Sequence, residues 1–104
     1  MDNVIWKKET EEKFKQMIAK IPFALRGIAK EKVSKRAESL AREAGRSEIT
    51  EKDLVDAFFK ETPGGFQGPM KTDMGALGID YTKYGYERDE WKRILGMKKF
   101  GEDK

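Results

Sequence analysis

The side chains available for chemistry in this sequence are Asp, Glu, Lys, Arg, Tyr and Ser, because histidine and cysteine are both absent. That removes the commonest general base near neutral pH and the thiolate nucleophile. It also removes disulfides and iron–sulfur ligation by this chain, and leaves a zinc site to carboxylates alone. The adjacent carboxylates Glu11/Glu12 and Asp89/Glu90 stand at expected helix starts, where the helix dipole accounts for them. The loop Pro63-Gly64-Gly65-Phe66-Gln67-Gly68-Pro69 has glycines enough to approach a phosphate. It lacks the Gly-Lys-Ser/Thr ending, the GxGxxG spacing and a preceding apolar strand, so it reads as a connection. No nucleophile–base pair, cofactor box or metal-ligand set emerges. The expectation is a non-enzyme that carries no cofactor and no metal.

Binding chemistry is better represented. Net charge is +3, from 22 Lys+Arg against 19 Asp+Glu. Residues 1–60 hold 14 basic and 11 acidic residues, and residues 61–104 hold eight of each. Arg36, Arg42 and Arg46 are the candidates for phosphate contacts in a nucleic-acid reading. Intrahelical pairs such as Glu31 with Lys35 and Glu38 with Arg42 answer part of that charge. Aromatics gather towards the C-terminus: Phe66, Tyr81, Tyr84, Tyr86, Trp91 and Phe100, with Lys83, Arg88, Lys92 and Arg93 among them. Tyr and Trp in this density suit a protein contact or base stacking as well as self-packing.

The elements that must position these residues are helical. Residues of about 10–20 place Phe14, Met17, Ile18 and Ile21 on one stripe, with Thr10 as the expected cap. Pro22 opens a long helix to about residue 44, in which Leu25, Ile28, Ala29, Val33, Ala37, Leu40, Ala41 and Ala44 keep helical spacing. Gly27 within it implies a kink or a close contact, and Gly45 is the expected C-cap. Thr50-Glu51-Lys52-Asp53 resembles a capping box with Asp in place of Glu, and Ile49 and Leu54 can staple across it. Thr62-Pro63-Gly64-Gly65 ends the third helix. The seven residues 63–69 are expected to be irregular, with a short helical turn near residues 71–77 and an extended or irregular stretch over 79–86. A last short helix is expected over about 89–97, carrying Trp91, Ile94 and Leu95.

The fold expected is therefore all-α: a short helix, a long central helix and a short helix, histone-like or a small orthogonal bundle, with an irregular aromatic-rich tail ending in a short helix. The domain organisation expected is a helical module at 1–61 and a Gly/Pro hinge with an aromatic tail at 62–104, packed on the module or on a partner. No apolar run reaches the ~20 residues of a membrane span, and the N-terminus lacks a secretory pattern, so no membrane contact and a cytoplasmic location are expected.

Two resemblances follow from the residues. Trp6, the run Ile18-Ala19-Lys20-Ile21-Pro22-Phe23, Arg26, Glu38, Leu40-Ala41-Arg42-Glu43-Ala44-Gly45 and Ile49-Thr50 together resemble the small C-terminal domain carried by light-independent protochlorophyllide reductase on one of its subunits. That domain also occurs free-standing. The resemblance spans about residues 6–59 and implies an all-helical accessory module of a nitrogenase-like reductase. The large catalytic part of that enzyme has no counterpart in this chain. The stretch 40–58 looks more loosely like the end of the long helix, the loop and the last helix of a histone fold. There the residue matching Arg46 approaches DNA, although Glu48, Glu51 and Asp53 beside it would repel phosphates. The function expected is a non-catalytic interaction module that assists a redox enzyme, with Trp6, Phe23, Arg26, Tyr81, Tyr84, Tyr86 and Trp91 at the protein contact. The alternative is a histone-like DNA-binding homodimer formed through the alanine-rich long helix.

Overall fold

A computed structural model describes residues 4–88. The fold is all-α with very little strand. In order come β1 (Ile5–Trp6), α1 (Lys8–Ala19), α2 (Phe23–Glu43), β2 (Glu48–Ile49), α3 (Glu51–Glu61) and α4 (Gln67–Ala76). Single 3-10 turns occupy Gly64–Phe66 and Tyr81–Tyr84. The chain divides into two compact units between Pro63 and Gly64. The expected last helix, with Trp91, lies outside the described residues.

In the first unit, β1 and β2 pair in parallel, Ile5 opposite Glu48 and Trp6 opposite Ile49. The Ile5 amide also donates to the Ser47 carbonyl at 2.8 Å. This two-residue ladder draws the N-terminus onto the α2–α3 connection. As a result α1 starts at Lys8, earlier than the sequence suggested. Lys7 stands at its N-cap, and Thr10 is no cap but part of the inner face with Phe14, Met17 and Ile18. Those four fall at i, i+4, i+7 and i+8, one side of a helix. Trp6 stacks on Phe14 with ring centroids 4.9 Å apart, and Phe14 lies 6.4 Å from Phe58 of α3. The Lys13 ammonium reaches the Glu51 carboxylate of α3 at 3.3 Å.

α2 packs chiefly on α3 through Val33, Ala37 and Ala41, which are buried at i, i+4 spacing. Alanines there let two helices approach closely. The helix ends in a Schellman turn. Gly45, at φ 76°, donates to the Arg42 carbonyl, and Arg46 donates to the Ala41 carbonyl. α3 starts at the expected capping box. The Asp53 amide donates to Thr50 Oγ1 at 3.3 Å, and the Thr50 amide donates to Asp53 Oδ2 at 2.9 Å. Ile49 and Leu54, the staple pair, are both fully buried.

In the second unit the expected irregular loop is largely helical. α4 begins at Gln67 and contains Gly68 and Pro69. Pro69 is its third residue, where a missing N–H leaves no hydrogen bond unmade. The helix closes on a second Schellman turn: Gly78, at φ 78°, donates to the Gly75 carbonyl and Ile79 to the Met74 carbonyl at 2.9 Å. Met70, Met74, Ile79 and Tyr81 are buried. The stretch expected to be extended or irregular holds a 3-10 turn at Tyr81–Tyr84. Asp80 caps it by accepting from the Thr82 amide at 3.1 Å, and Gly85 at φ 96° ends it. Among the described residues no helix is long and apolar enough to cross a membrane.

Candidate functional site

α2 is 21 residues long, against 12 in α1 and 11 in α3. At 1.5 Å per residue it runs roughly 30 Å, well beyond the length of its neighbours. None of its first ten residues is buried. Phe23 is 83% exposed, Ile28 56% and Leu25 46%. The sequence grouped Leu25 and Ile28 with the buried positions, and the structure corrects that. Val33, Ala37 and Ala41 define the packed side, and stepping back at 100° per residue puts Leu25 and Ile28 roughly 80–180° away from it. A β-carbon at Gly27 would meet nothing within 4 Å, so no close contact among the described residues explains this glycine.

The first half of α2 is also basic. From Lys20 to Lys32 the chain carries Lys20, Arg26, Lys30 and Lys32 against Glu31, and Lys35 and Arg36 follow in the second half. Lys35 pairs with Glu31 at 3.1 Å and Arg36 with Glu61 of α3 at 2.8 Å. Arg26, expected at a partner contact, is engaged inside the chain. Its Nε donates to the Ile21 carbonyl and its Nη2 to the Ala19 carbonyl, both at 2.8 Å. It thereby places a cation on the carbonyls that end α1 and fixes the α1–α2 corner. The same guanidinium stands 5.7 Å from the centre of the Phe23 ring.

The three arginines considered for DNA each face a carboxylate. Arg36 meets Glu61, Arg42 meets Glu38 at 3.9 Å, and Arg46 binds Asp53 through both oxygens, Nη2 to Oδ1 at 2.9 Å. Asp53 is buried. Burial pushes its carboxyl up, but the Arg46 guanidinium and the Thr50 amide and hydroxyl outweigh that. They hold the Asp53 pKa below the ordinary carboxylate value. The Arg46–Asp53 fork thus ties the end of α2 to the start of α3.

The other expected contact residues divide. Trp6 is half-buried against Phe14 and covers the core. Tyr81 is buried, with the Lys71 ammonium 5.8 Å from its ring centre, so it is no surface contact. Tyr84 and Tyr86 are half-buried, and Lys83 lies 5.8 Å from the Tyr84 ring. Phe66, which the sequence did not single out as a contact, is exposed. Among the described residues no group of three or more acidic side chains is placed to hold a metal. Of the expected contact residues that the structure describes, Phe23 is therefore the most exposed. The neighbours Leu25 and Ile28 were missed because helical spacing alone does not show which apolar positions of α2 the chain's own core covers. Comparison with protein families, with curated proteins and with solved structures found no match to this chain.

Proposed function

We propose that this chain is a non-catalytic helical interaction module that docks on a protein partner, with the first half of α2 at the contact. The observation that carries this reading is a helix among whose leading ten residues none is fully buried, while Phe23, Leu25 and Ile28 are exposed. Most helical stability in proteins comes from packing an apolar face, so an unpacked half is structure out of proportion to the core it serves.

The kind of partner is suggested by the resemblance to the small domain of light-independent protochlorophyllide reductase: a nitrogenase-like or other redox enzyme that this chain assists in the cytoplasm. Several residues that carry the resemblance have structural work here. Trp6 stacks on the core, Arg26 closes α1, Gly45 turns the chain and Ile49-Thr50 starts α3. Phe23 is the exception, and a surface role accounts for it. The alternative, a histone-like DNA-binding dimer, has weaker support, because Arg36, Arg42 and Arg46 already face carboxylates.

Native affinity purification of the full chain from its producing cells tests the proposal. Expected is a stable complex with a redox enzyme, reconstituted from the two purified components. Recovery of no stable protein partner would overturn it. A mobility-shift titration with duplex DNA at low salt tests the alternative, which requires a complex that weakens with a log–log slope of about −0.9 per phosphate neutralised.

A further inference from the structure

We infer that the partner surface received by the first half of α2 is acidic and concave, and closes around the helix from more than one side. This deepens the proposed docking role and rests on it. The first ground is charge. Residues 20–32 carry four basic side chains and one acidic one, a local excess of three that equals the excess of the whole chain. The remaining residues balance to zero, so the whole surplus lies beside the exposed Phe23, Leu25 and Ile28. Electrostatic complementarity then calls for carboxylates rimming the site on the partner.

The same charge argues against the occupants nearest to hand. A second copy would bring this basic stretch against itself if the two stretches met, and like charges across an interface repel. Residues 61–104 hold equal numbers of basic and acidic side chains, so they offer no net complement.

The second ground is geometry. At 100° per residue, Phe23 points roughly 140–160° away from Leu25 and Ile28 around the helix axis. A flat anionic membrane touches one side of a helix and cannot cover both. A duplex offers charge but little apolar surface to Leu25 and Ile28. A protein groove with apolar walls and an acidic rim meets all of these features at once, in the manner of a helix laid in a groove.

The test uses the full chain carrying a photo-crosslinking residue in place of Ile28 and, in a parallel preparation, in place of Tyr84. From position 28 the expected product in producing cells is one protein, joined through a concave face lined by carboxylates. That protein, purified, should bind Leu25→Asp and Ile28→Asp at least about thirtyfold more weakly than the unaltered chain. The double variant Lys30→Glu/Lys32→Glu should bind about tenfold more weakly, with the loss shrinking as salt rises. Phe23→Ala should weaken binding as well, which the one-sided contact does not require. Thermal unfolding of these variants should match that of the unaltered chain, since the side chains are exposed.

A crosslink from position 28 to a second copy, to residues 64–104 of the same chain or to lipid would overturn the inference. So would equal binding by the charge-reversed variant, or vesicles of phosphatidylglycerol that bind with the same dependence on Leu25 and Ile28. A protein captured from position 84 and not from position 28 would overturn this surface and leave the broader docking role standing. Capture from neither position would overturn both.

Discussion

At the scale of single residues, the Arg46–Asp53 pair shows how one carboxylate can serve two purposes. Asp53 completes the capping box with Thr50 and receives the fork of Arg46. Half of that was written in the sequence, because Thr50 and Asp53 stand three apart before an apolar run. The other half was not, because Arg46 reaches Asp53 only after the Schellman turn at Gly45 has redirected the chain. The same arginine read as a phosphate contact in the sequence, where position in a basic stretch was visible and its carboxylate partner was not. Arg46→Ala leaves the Asp53 carboxylate with its Thr50 hydrogen bonds but without its cation, and because the guanidinium is partly exposed and screened it should cost about 1–2 kcal/mol, read from urea unfolding at pH 7. The pH dependence has a definite sign. Asp53 is more acidic in the folded chain than in the unfolded one, so its contribution is fully present above about pH 4. It is lost as pH falls through the folded-state value. The stability difference between the parent and Asp53→Asn should therefore be largest near pH 7 and shrink as pH falls below the ordinary carboxylate value of about 4.

Among the elements, the glycine inside α2 and the glycine just past its end should respond in opposite directions. Gly45 sits at φ 76°, where a β-carbon is disfavoured, and Gly45→Ala should lower stability by about 1–2 kcal/mol. Gly27 is mid-helix with open space around its β-position, and Gly27→Ala should raise stability by about 1 kcal/mol. Paired thermal or urea unfolding curves check both signs. α2 should also be uneven along its length. Hydrogen exchange of the free chain should be faster at amides of residues 23–32 than at those of residues 33–43, because only the second half is packed. Equal protection along the helix would contradict the packing described. Helix existence was legible from periodicity, and the start of α3 from its cap. The early start of α1 was not, since it follows from a two-residue pairing between segments far apart in the chain. A helical turn near residues 71–77 was legible, but the start of α4 at Gln67 was obscured by Gly68 and Pro69, whose helix-breaking reputation does not apply in a first turn.

For the molecule as a whole, the division between Pro63 and Gly64 makes the first unit a candidate for independent folding. It holds Phe14, Met17, Val33, Ile49, Leu54, Val55 and Phe58 in one buried set. A fragment of residues 1–63 should be helical by circular dichroism and unfold cooperatively in urea, although a chain of about sixty residues buries only a modest core. A non-cooperative transition would show that the first unit needs the rest of the chain. The fold class was legible in the sequence because helix stripes, caps and terminators are local. The exposed half of α2 was less so. Apolar residues at helical spacing look alike whether they meet the chain's own core or something else, and the decision rests on how far α1 and α3 reach. That reach has an evolutionary consequence. Side chains at positions 23, 25, 28, 30 and 32 add little to the folded core, so substitutions there spend none of the narrow margin above the stability threshold. The lineage carrying this chain is free to exchange one recognition surface for another while its scaffold stays intact, and a designer can diversify the same five positions as a library on a constant frame.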